Sequence, residues 1–276
     1  MSAKKTRWIL ISGALVLFVL LFISPRQKTN AASDAESGNA AVAKPIARSN
    51  KQALEVYLNL ALNNLTTELR KNYKELNTKN QTDSLVAFWD KLKRPDLAAY
   101  FTESAAEKTD SAFAWYKAGN RYYYAIPFIK DETELPLLYQ RAAACFENSL
   151  KKDSSNTDAK IMLAACMVEG SEDPMQGISL LRSLEQKDSN NVKLQMTFAL
   201  FSVKSGQLDK AVRRFNKVLQ IDSSAIEVYL HLADAYEKLG QPEKSLKMLE
   251  NYQSKTNDPM VKLEIGKYIE QLRNSN

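Results

Sequence analysis

Residues 205–223 read SGQLDKAVRRFNKVLQIDS, and residues 239–257 read LGQPEKSLKMLENYQSKTN. Placed one above the other, the two stretches bring Gly206 over Gly240 and Phe215 over Leu249 at one constant offset. An internal period of this kind, about 34 residues long, is typical of repeat proteins, in which each pair of helices stacks on the next pair to bury a continuous core. The sequence therefore predicts an all-α fold built from repeated helix pairs.

The segment before each copy repeats as well, because Leu232-Ala233 follows Phe198-Ala199 at the same offset. The pattern resembles the tetratricopeptide-repeat (TPR) family, whose unit is a helix–turn–helix of about 34 residues. Members of this family carry small residues where the two helices of a unit meet. The resemblance implies an α-solenoid of TPR helix-turn-helix repeats, with Gly206 and Gly240 in the turns.

Two more units fit with insertions, so that we predict four TPR-like repeats across residues 109–256. The unit that contains Leu163-Ala164 and Gly177 has one extra residue before its second helix. The unit that begins at Trp115 has a connection about twelve residues too long, in which residues 131–134 can start a lengthened second helix. Units end with an Asp-Ser pair, at 153–154, 188–189 and 222–223, which can close the turn or cap the next helix.

Further helices are predicted on both sides of the repeats, since the ends of a solenoid need caps. Residues 257–274 are predicted to form a C-terminal capping helix that begins near Pro259. Residues 50–108 are predicted to hold N-terminal helices and, at 84–108, a degenerate repeat. Leucines at helical spacing across 50–78 indicate one long helix or two short ones with a break at Asn63-Asn64.

The N-terminus is predicted to anchor the chain in a membrane as a bacterial single-pass protein. Residues 1–7 form a basic tail, and residues 8–24 contain an apolar run broken only by Ser12 and Gly13. The sixteen residues from Trp8 to Ile23 would span about 24 Å as a helix, somewhat short of the ~30 Å of a bilayer core, a mismatch that local thinning can relieve. We therefore predict a single transmembrane helix, a retained signal-anchor, ahead of the solenoid. Residues 25–49 have the composition of a disordered linker.

Basic residues before the apolar run favour an N-terminus on the cytoplasmic side. The repeat domain would then lie on the extracytoplasmic side of a bacterial cytoplasmic (inner) membrane. The alternative is a cleaved secretory signal, for which residues 31–33 are the one passable site, far from the end of the run. Cleavage would release a secreted, soluble TPR accessory subunit.

The charge distribution argues against a nucleic-acid partner. The whole chain has a formal net charge of +6, but residues 1–49 hold seven Lys/Arg against two Asp/Glu. The rest of the chain therefore carries 31 of the 38 basic side chains and 30 of the 32 acidic ones, and it is close to neutral. A domain that binds a duplex concentrates cations on one face.

Residues for catalysis are scarce. His231 is the only histidine, and the sequence has neither a Gly-rich phosphate loop nor a serine-nucleophile motif. Two cysteines, Cys145 and Cys166, are predicted to be buried thiols, or a single bridge in an oxidising compartment. We expect neither an enzyme nor a metal site, cofactor or small-molecule substrate.

The family resemblance implies a protein or peptide partner in a concave groove, which the first helix of each unit lines. Transferred residue by residue, the groove positions are Tyr116, Asn120, Tyr123, Tyr124, Ile161, Lys193, Met196, Leu200 and Asp234. This face is aromatic and apolar in the first repeat, which we call its first end, and charged in the fourth repeat, its last end. An alternative is that the N-terminal helices already cover part of it. The sequence thus predicts a membrane-tethered TPR scaffold for protein–protein interaction or complex assembly.

Overall fold

The computed structural model describes residues 51–275, and thirteen α-helices account for most of them. The helices are α1 Lys51–Asn63, α2 Thr67–Thr78, α3 Thr82–Lys91, α4 Pro95–Thr109, α5 Ala112–Ala125, α6 Leu135–Lys152, α7 Thr157–Gly170, α8 Pro174–Lys187, α9 Val192–Lys204, α10 Leu208–Ile221, α11 Val228–Lys238, α12 Pro242–Lys255 and α13 Pro259–Ser275. The described part of the chain contains no strand, so the all-α fold is confirmed.

Successive helices pack against one another along the chain. From α3 onward each helix contacts the helix before it and the helix after it, which produces a solenoid rather than a closed bundle. Packing is extensive within the antiparallel pairs α5–α6, α7–α8, α9–α10 and α11–α12, the four predicted repeats, and α4 also packs closely on α5. The buried apolar residues accordingly form a row of separate clusters, each shared by neighbouring pairs.

The turns at Gly206 and Gly240 have the same geometry. Both glycines adopt the left-handed backbone conformation, with φ of 73° and 68°. In both turns the glycine N–H bonds the carbonyl three residues earlier, and the following glutamine N–H bonds the carbonyl five residues earlier. This bonding satisfies the last carbonyls of the first helix, and a residue without Cβ adopts the conformation at least cost. The prediction that both glycines lie in equivalent turns is confirmed.

The turn between α3 and α4 has the same hydrogen bonds without a glycine. Lys93 takes the left-handed position with φ of 60°, and Asn80 does so between α2 and α3 with φ of 55°. Each bonds the carbonyl three residues earlier, and the next residue bonds the carbonyl five residues earlier. Helices α3 and α4 therefore form a hairpin of the repeat type within the segment predicted to hold a degenerate unit.

Aspartate closes the turn between repeats. The Asp153 carboxylate accepts the N–H of Ser155 at 3.0 Å, and Asp188 and Asp222 accept the N–H two residues onward at 2.9 Å. Asn156 then caps α7 by accepting the N–H of Ala159 at 2.9 Å. Aspartate thus closes the turn in the way the sequence suggested, whereas an asparagine caps the next helix.

Helix α1 lies against the start of α4 and the segment before α6. Helix α1 ends at Asn63 and α2 starts at Thr67, so the two-helix option holds. The Tyr57 hydroxyl lies 2.6 Å from a carboxylate oxygen of Asp96 and 2.8 Å from one of Glu134. These contacts fix α1 beside the second helices rather than along the first helices.

The long connection after α5 folds as two short 3-10 turns, Ile126–Phe128 and Glu132–Glu134. Helix α6 follows with 18 residues, against 14 in each of α8, α10 and α12. The second helix of this unit is therefore lengthened, as expected, although its α-helical part begins at Leu135 and not at residue 131.

At the C-terminus, α13 covers the last repeat where the capping helix was predicted. Ile265 and Ile269 of α13 are buried in one cluster with Ala233 and Leu249. Across residues 51–275 no helix has both the length and the apolar character that crossing a bilayer requires. The predicted basic tail at 1–7, membrane segment at 8–24 and linker at 25–49 lie outside the described residues.

Candidate functional site

The predicted groove positions lie on the first helices α5, α7, α9 and α11, but their exposure differs. Tyr124 is 61% exposed, whereas Ile161 is fully buried. The other seven are half-buried: Tyr116, Asn120, Tyr123, Lys193, Met196, Leu200 and Asp234. The inner face is thus not one open groove, and three parts of it need separate description.

One polar network crosses the inner face from α5 to α9. Lys193 Nζ donates to the Tyr116 hydroxyl at 2.6 Å and lies 3.2 Å from Asp158 Oδ2. The ammonium group also sits 5.3 Å from the centre of the Tyr116 ring. Burial alone would lower the Lys193 pKa, but the hydrogen bond with Tyr116 and the charge of Asp158 hold that pKa above its usual value. We call Tyr116, Asp158 and Lys193 the first ladder.

A second network lies toward the other ends of the same helices. The Tyr123 hydroxyl donates to Glu169 Oε2 at 2.6 Å, and Lys204 pairs with the same carboxylate. Burial raises the pKa of Tyr123 far above its ordinary value, so the phenol stays protonated and remains a donor. Tyr123, Glu169 and Lys204 form the second ladder, which again joins α5, α7 and α9.

Apolar packing closes the inner face between the ladders. Ile161 is buried in a cluster with Leu181 and Leu194, because α7 contacts both α5 and α9 directly. Its side chain contributes to the interface between repeats and leaves no surface for a partner. The sequence pattern alone could not distinguish this position from an exposed one, since both occur at the same helical spacing.

An open cleft remains at the first end of the inner face, between α5 and the α3–α4 turn. It has a volume of about 420 Å³. Its rim carries the two aromatic rings that are most exposed on α5, Phe113 at 74% and Tyr124 at 61%. The lining residues are Asp90, Pro95, Phe113, Tyr116, Lys117, Asn120, Arg121, Tyr124 and Ala125. We call this site the aromatic cleft.

Some polar groups of the aromatic cleft have a partner within the described part of the chain, and others do not. Arg121 binds both carboxylate oxygens of Asp90, at 2.6 and 2.7 Å. Lys117 is exposed and forms no salt bridge within residues 51–275. The side-chain oxygen of Asn120 is buried without a hydrogen-bond partner in the described part of the chain. The cleft therefore combines apolar rings, one uncompensated cation and one unused acceptor.

Neither N-terminal helix lines the aromatic cleft. Its walls come from α3, α4 and α5, and the helices α1 and α2 contribute no lining residue. The alternative in which these helices cover the inner face therefore does not apply at this cleft. Tyr116 and Tyr123 are instead half-buried by the core cluster of their own unit and held by the two ladders.

The last end of the inner face is flatter. Met196 and Leu200 pack against a cluster that includes Leu232 of α11. Asp234 accepts a hydrogen bond from Lys238 at 2.8 Å within α11. The three predicted groove positions at this end are therefore held by packing and by a hydrogen bond within α11.

The reactive side chains are enclosed by packing. Cys145 and Cys166 are free, buried thiols of one cluster, and burial raises the pKa of Cys145 to about 12. His231 stacks on Phe215, with ring centres 5.2 Å apart. Within the described range, no three His, Cys, Asp or Glu side chains are grouped in a way that could hold a metal ion.

A buried polar cluster joins α4, α5 and α6 and was not predicted from the sequence. Glu103 accepts a 2.7 Å hydrogen bond from the Tyr122 hydroxyl and pairs with Arg141. Glu103 is only 4% exposed, and Tyr122 is fully buried. A signal for it was present, because a glutamate at helical spacing between Ala99 and Ala106 faces the core.

Comparisons with known proteins agree with the repeat pattern. Residues 202–263 match the family model described as Tetratricopeptide repeat. No curated protein sequence matches the chain. Among solved structures, the chain is similar to YrrB, described as a TPR protein with an unusual peptide-binding site, with 22% identity, coverage of 71% of this chain and 97% of that chain, and a TM-score of 0.40.

Two structures of MamA are similar in the same way. The crystal structure of MamA protein has 17% identity, covers 64% of this chain and 91% of its own, and gives a TM-score of 0.39. MamA 41-end from Desulfovibrio magneticus RS-1 has 14% identity, covers 64% of this chain and 93% of its own, and gives a TM-score of 0.42.

Proposed function

The chain is a tetratricopeptide-repeat protein, and we propose that it is a membrane-tethered scaffold that holds a protein partner at the aromatic cleft and catalyses nothing. A repeat fold of this kind suggests a protein–protein interaction scaffold. The single observation that carries the choice of site is the aromatic cleft, an open concavity on the inner face with two largely exposed aromatic rings on its rim.

The cleft has the composition that anchors peptide segments. Aromatic side chains are enriched among the residues that dominate binding energy, because they bury a large area with few rotatable bonds. Phe113 and Tyr124 are 74% and 61% exposed in the free protein. Because the two rings lie about 16 Å apart along α5, two apolar side chains of the partner, in a helical or extended segment, would each pack against one ring.

The charge of the cleft indicates what surrounds these anchors. Arg121 is neutralised by Asp90, whereas Lys117 has no acidic neighbour in a salt bridge among the described residues. A carboxylate next to an apolar anchor would complement Lys117. We therefore propose an acidic segment with aromatic or large aliphatic anchors.

The tether is proposed from the sequence. Residues 8–24 have the composition of a single-pass helix, and the linker after them would reach about 25–30 Å as a flexible coil. The repeats would then lie on the extracytoplasmic side of a bacterial inner membrane, close to the bilayer. Protease added to spheroplasts should digest the repeat domain in that topology, and a domain protected until the membrane is lysed would contradict it.

The secreted form is a second candidate, favoured by the basic start and the short apolar core of the N-terminus. Mass spectrometry of the mature chain decides between the two. An intact N-terminus supports the tether, and loss of about thirty residues supports a secreted accessory subunit.

Partner capture tests the binding site. A Phe113→Ala/Tyr124→Ala variant should retain about a tenth or less of the native capture, since each truncation removes about 1 kcal/mol or more of binding. Its melting temperature should stay close to that of the native protein because both rings are exposed. The matched control is Met175→Ala/Met260→Ala, which removes two side chains that are 57% and 51% exposed elsewhere. Equal capture by both variants would refute the cleft as the binding site.

A further inference from the structure

The second helices of the last two full repeats, α10 and α12, carry many cations. They hold seven basic residues against three acidic ones, whereas the first helices α9 and α11 hold three against two. The basic residues of α10 and α12 are Lys210, Arg213, Arg214, Lys217, Lys244, Lys247 and Lys255.

Six of these seven cations, all but Arg214, form no salt bridge with a described residue, and the sixth, Lys255, is the last residue of α12. Across residues 51–275, no carboxylate lies within salt-bridge distance of Lys210, Arg213, Lys217, Lys244 or Lys247. Four of the five are exposed, and Lys217 is half-buried. We call these five residues the outer basic surface.

The outer basic surface has a regular geometry. Lys210, Arg213 and Lys217 follow one another at intervals of three and four residues, which places them on one side of α10. Lys244 and Lys247 lie one repeat length after Lys210 and Arg213, at the equivalent places of α12. Both helices pack against α11, so the two rows lie on the second-helix side of the solenoid.

The spacing of these cations destabilises α10. Arg213 and Lys217 are like charges at i and i+4, a spacing that destabilises a helix. The exposed carboxylates Asp209 and Glu243 lie in the first turns of α10 and α12, where the helix dipole accounts for them.

Lys210 bonds the side chain of Gln207, and Lys244 sits 5.5 Å from the centre of the Tyr236 ring, but neither contact neutralises its charge. Cations that repel one another and form no salt bridge within the described chain indicate an external anion.

We infer that the outer basic surface docks the repeat domain on anionic phospholipid headgroups. This inference rests on the proposed tether, which would place a bilayer within about 25–30 Å of the domain. Lysine and arginine near a membrane surface bind anionic lipids through summed electrostatic attraction. The phosphates of a bilayer form a flat, extended array, which matches two rows of cations. Docking by the second helices leaves the aromatic cleft, on the inner face, open to its partner.

A fluorescent probe in the full-length protein tests the docking. Asn216 is exposed on α10 between Arg213 and Lys217, so Asn216→Cys places a dye within the basic surface. The native cysteines are buried and do not compete for the label. The protein is reconstituted in vesicles of phosphatidylcholine with or without 30% brominated phosphatidylglycerol, where bromine quenches a dye at the bilayer. The control probe is Glu227→Cys, at an exposed position that precedes a first helix.

Docking predicts strong quenching of the Asn216 probe on the anionic vesicles, little quenching of the Glu227 probe, and loss of quenching in 0.5 M salt.

Two charge variants measure the contribution of the cations. The test variant is Lys210→Gln/Arg213→Gln/Lys244→Gln/Lys247→Gln, and the charge-matched control is Lys71→Gln/Lys74→Gln/Lys91→Gln/Lys130→Gln. The test variant should lower the ratio of docked to undocked protein by more than about tenfold, since each cation contributes about fivefold. The control should leave that ratio unchanged.

The outcomes separate the docking from the tether. If the chain stays with phosphatidylcholine vesicles in high salt but its Asn216 probe is not quenched on anionic vesicles, the docking is refuted and the tether stands. Equal quenching of both probes would also refute it. A chain that leaves neutral vesicles in high salt refutes the tether instead. Quenching of the Asn216 probe by a soluble acidic protein that carries a quencher, without quenching by brominated lipid, would assign the surface to a protein partner and overturn the proposal.

Discussion

The Tyr122 hydroxyl donates a 2.7 Å hydrogen bond to the carboxylate of Glu103, and both residues are buried where α4, α5 and α6 meet. Arg141 of α6 pairs with the same carboxylate. Burying a carboxylate is costly unless its charge is paired and its oxygens are bonded. Burial raises the pKa of Tyr122 well above its ordinary value, which keeps the phenol a donor. This contact joins the degenerate unit to the first full repeat.

Removing Tyr122 or Arg141 as a partner of Glu103 should lower the free energy of unfolding, but by different amounts. Tyr122→Phe should lower the free energy of unfolding by about 1–2 kcal/mol because one neutral donor is lost. Arg141→Met should cost about 3–5 kcal/mol, since it leaves a buried carboxylate without a cation. The exposed pair Arg273–Glu250 supplies the control, and Arg273→Met should cost less than about 1 kcal/mol. Urea unfolding measures all three, and an Arg141 variant no weaker than the control would contradict the argument.

Left-handed turn positions give two predictions of opposite sign. Gly240→Ala should lower the free energy of unfolding by about 1 kcal/mol, because φ of 68° is strained for a residue with a Cβ. Lys93→Gly should raise it by up to about 1 kcal/mol, since Lys93 holds φ of 60° in the same kind of turn. Thermal unfolding of both variants gives the comparison. A loss of stability in the Lys93 variant would show that its side chain has another role.

His231 should titrate at low pH. Burial lowers the pKa of the imidazole below its ordinary 6.5, although Asp234 and Glu227 act in the opposite direction. The folded state therefore prefers the neutral ring, so the stabilisation is present above pH 6.5 and is lost as the pH falls toward the folded pKa. The single histidine makes the NMR titration unambiguous. A midpoint at or above 6.5 would contradict the effect of burying the ring.

Both native thiols should be inert in the folded protein. Burial raises the pKa of Cys145 from 9.0 to about 12, and that of Cys166 also rises for the same reason. Ellman's reagent at pH 8 should react with them more than about a thousandfold slower than with a Ser254→Cys control, because they become accessible only on unfolding. Fast labelling of either native thiol would show that this core opens locally.

The same thiols predict a loss of stability in alkali. The unfolded thiols ionise above about pH 9 while the folded ones stay protonated. Their contribution is therefore complete below pH 9 and declines as the pH rises toward 12. Because buried tyrosines act in the same direction, the comparison is with Cys145→Ala, whose urea midpoint should decline less steeply between pH 8.5 and 10.5.

The helix pairs were predictable because each depends on local sequence. The constant offset that relates Gly206 to Gly240 fixes two equivalent turns, and a left-handed residue ends the first helix in each. The turn at Lys93 could not be predicted in this way. No glycine marks it, and its geometry follows from the packing of α3 on α4.

The aromatic cleft was predictable only in part. The family resemblance placed Tyr116, Asn120 and Tyr124 in the groove, and the structure brings all three to the cleft together with Phe113 and Lys117. The two ladders and the burial of Ile161 depend on how far neighbouring first helices approach each other. A periodic pattern gives the direction of a side chain on its helix but not that distance.

Site-specific photo-crosslinking tests the central claim most directly, namely that the aromatic cleft holds the partner. A benzophenone amino acid is introduced at Phe113 in the full-length chain, and at Met175 as an exposed control, in cells that produce the protein natively. We predict one dominant crosslinked partner at Phe113, absent at Met175 and lost when Lys117→Glu is added. Crosslinking of the same partner at both positions, or at Met175 alone, would contradict the account.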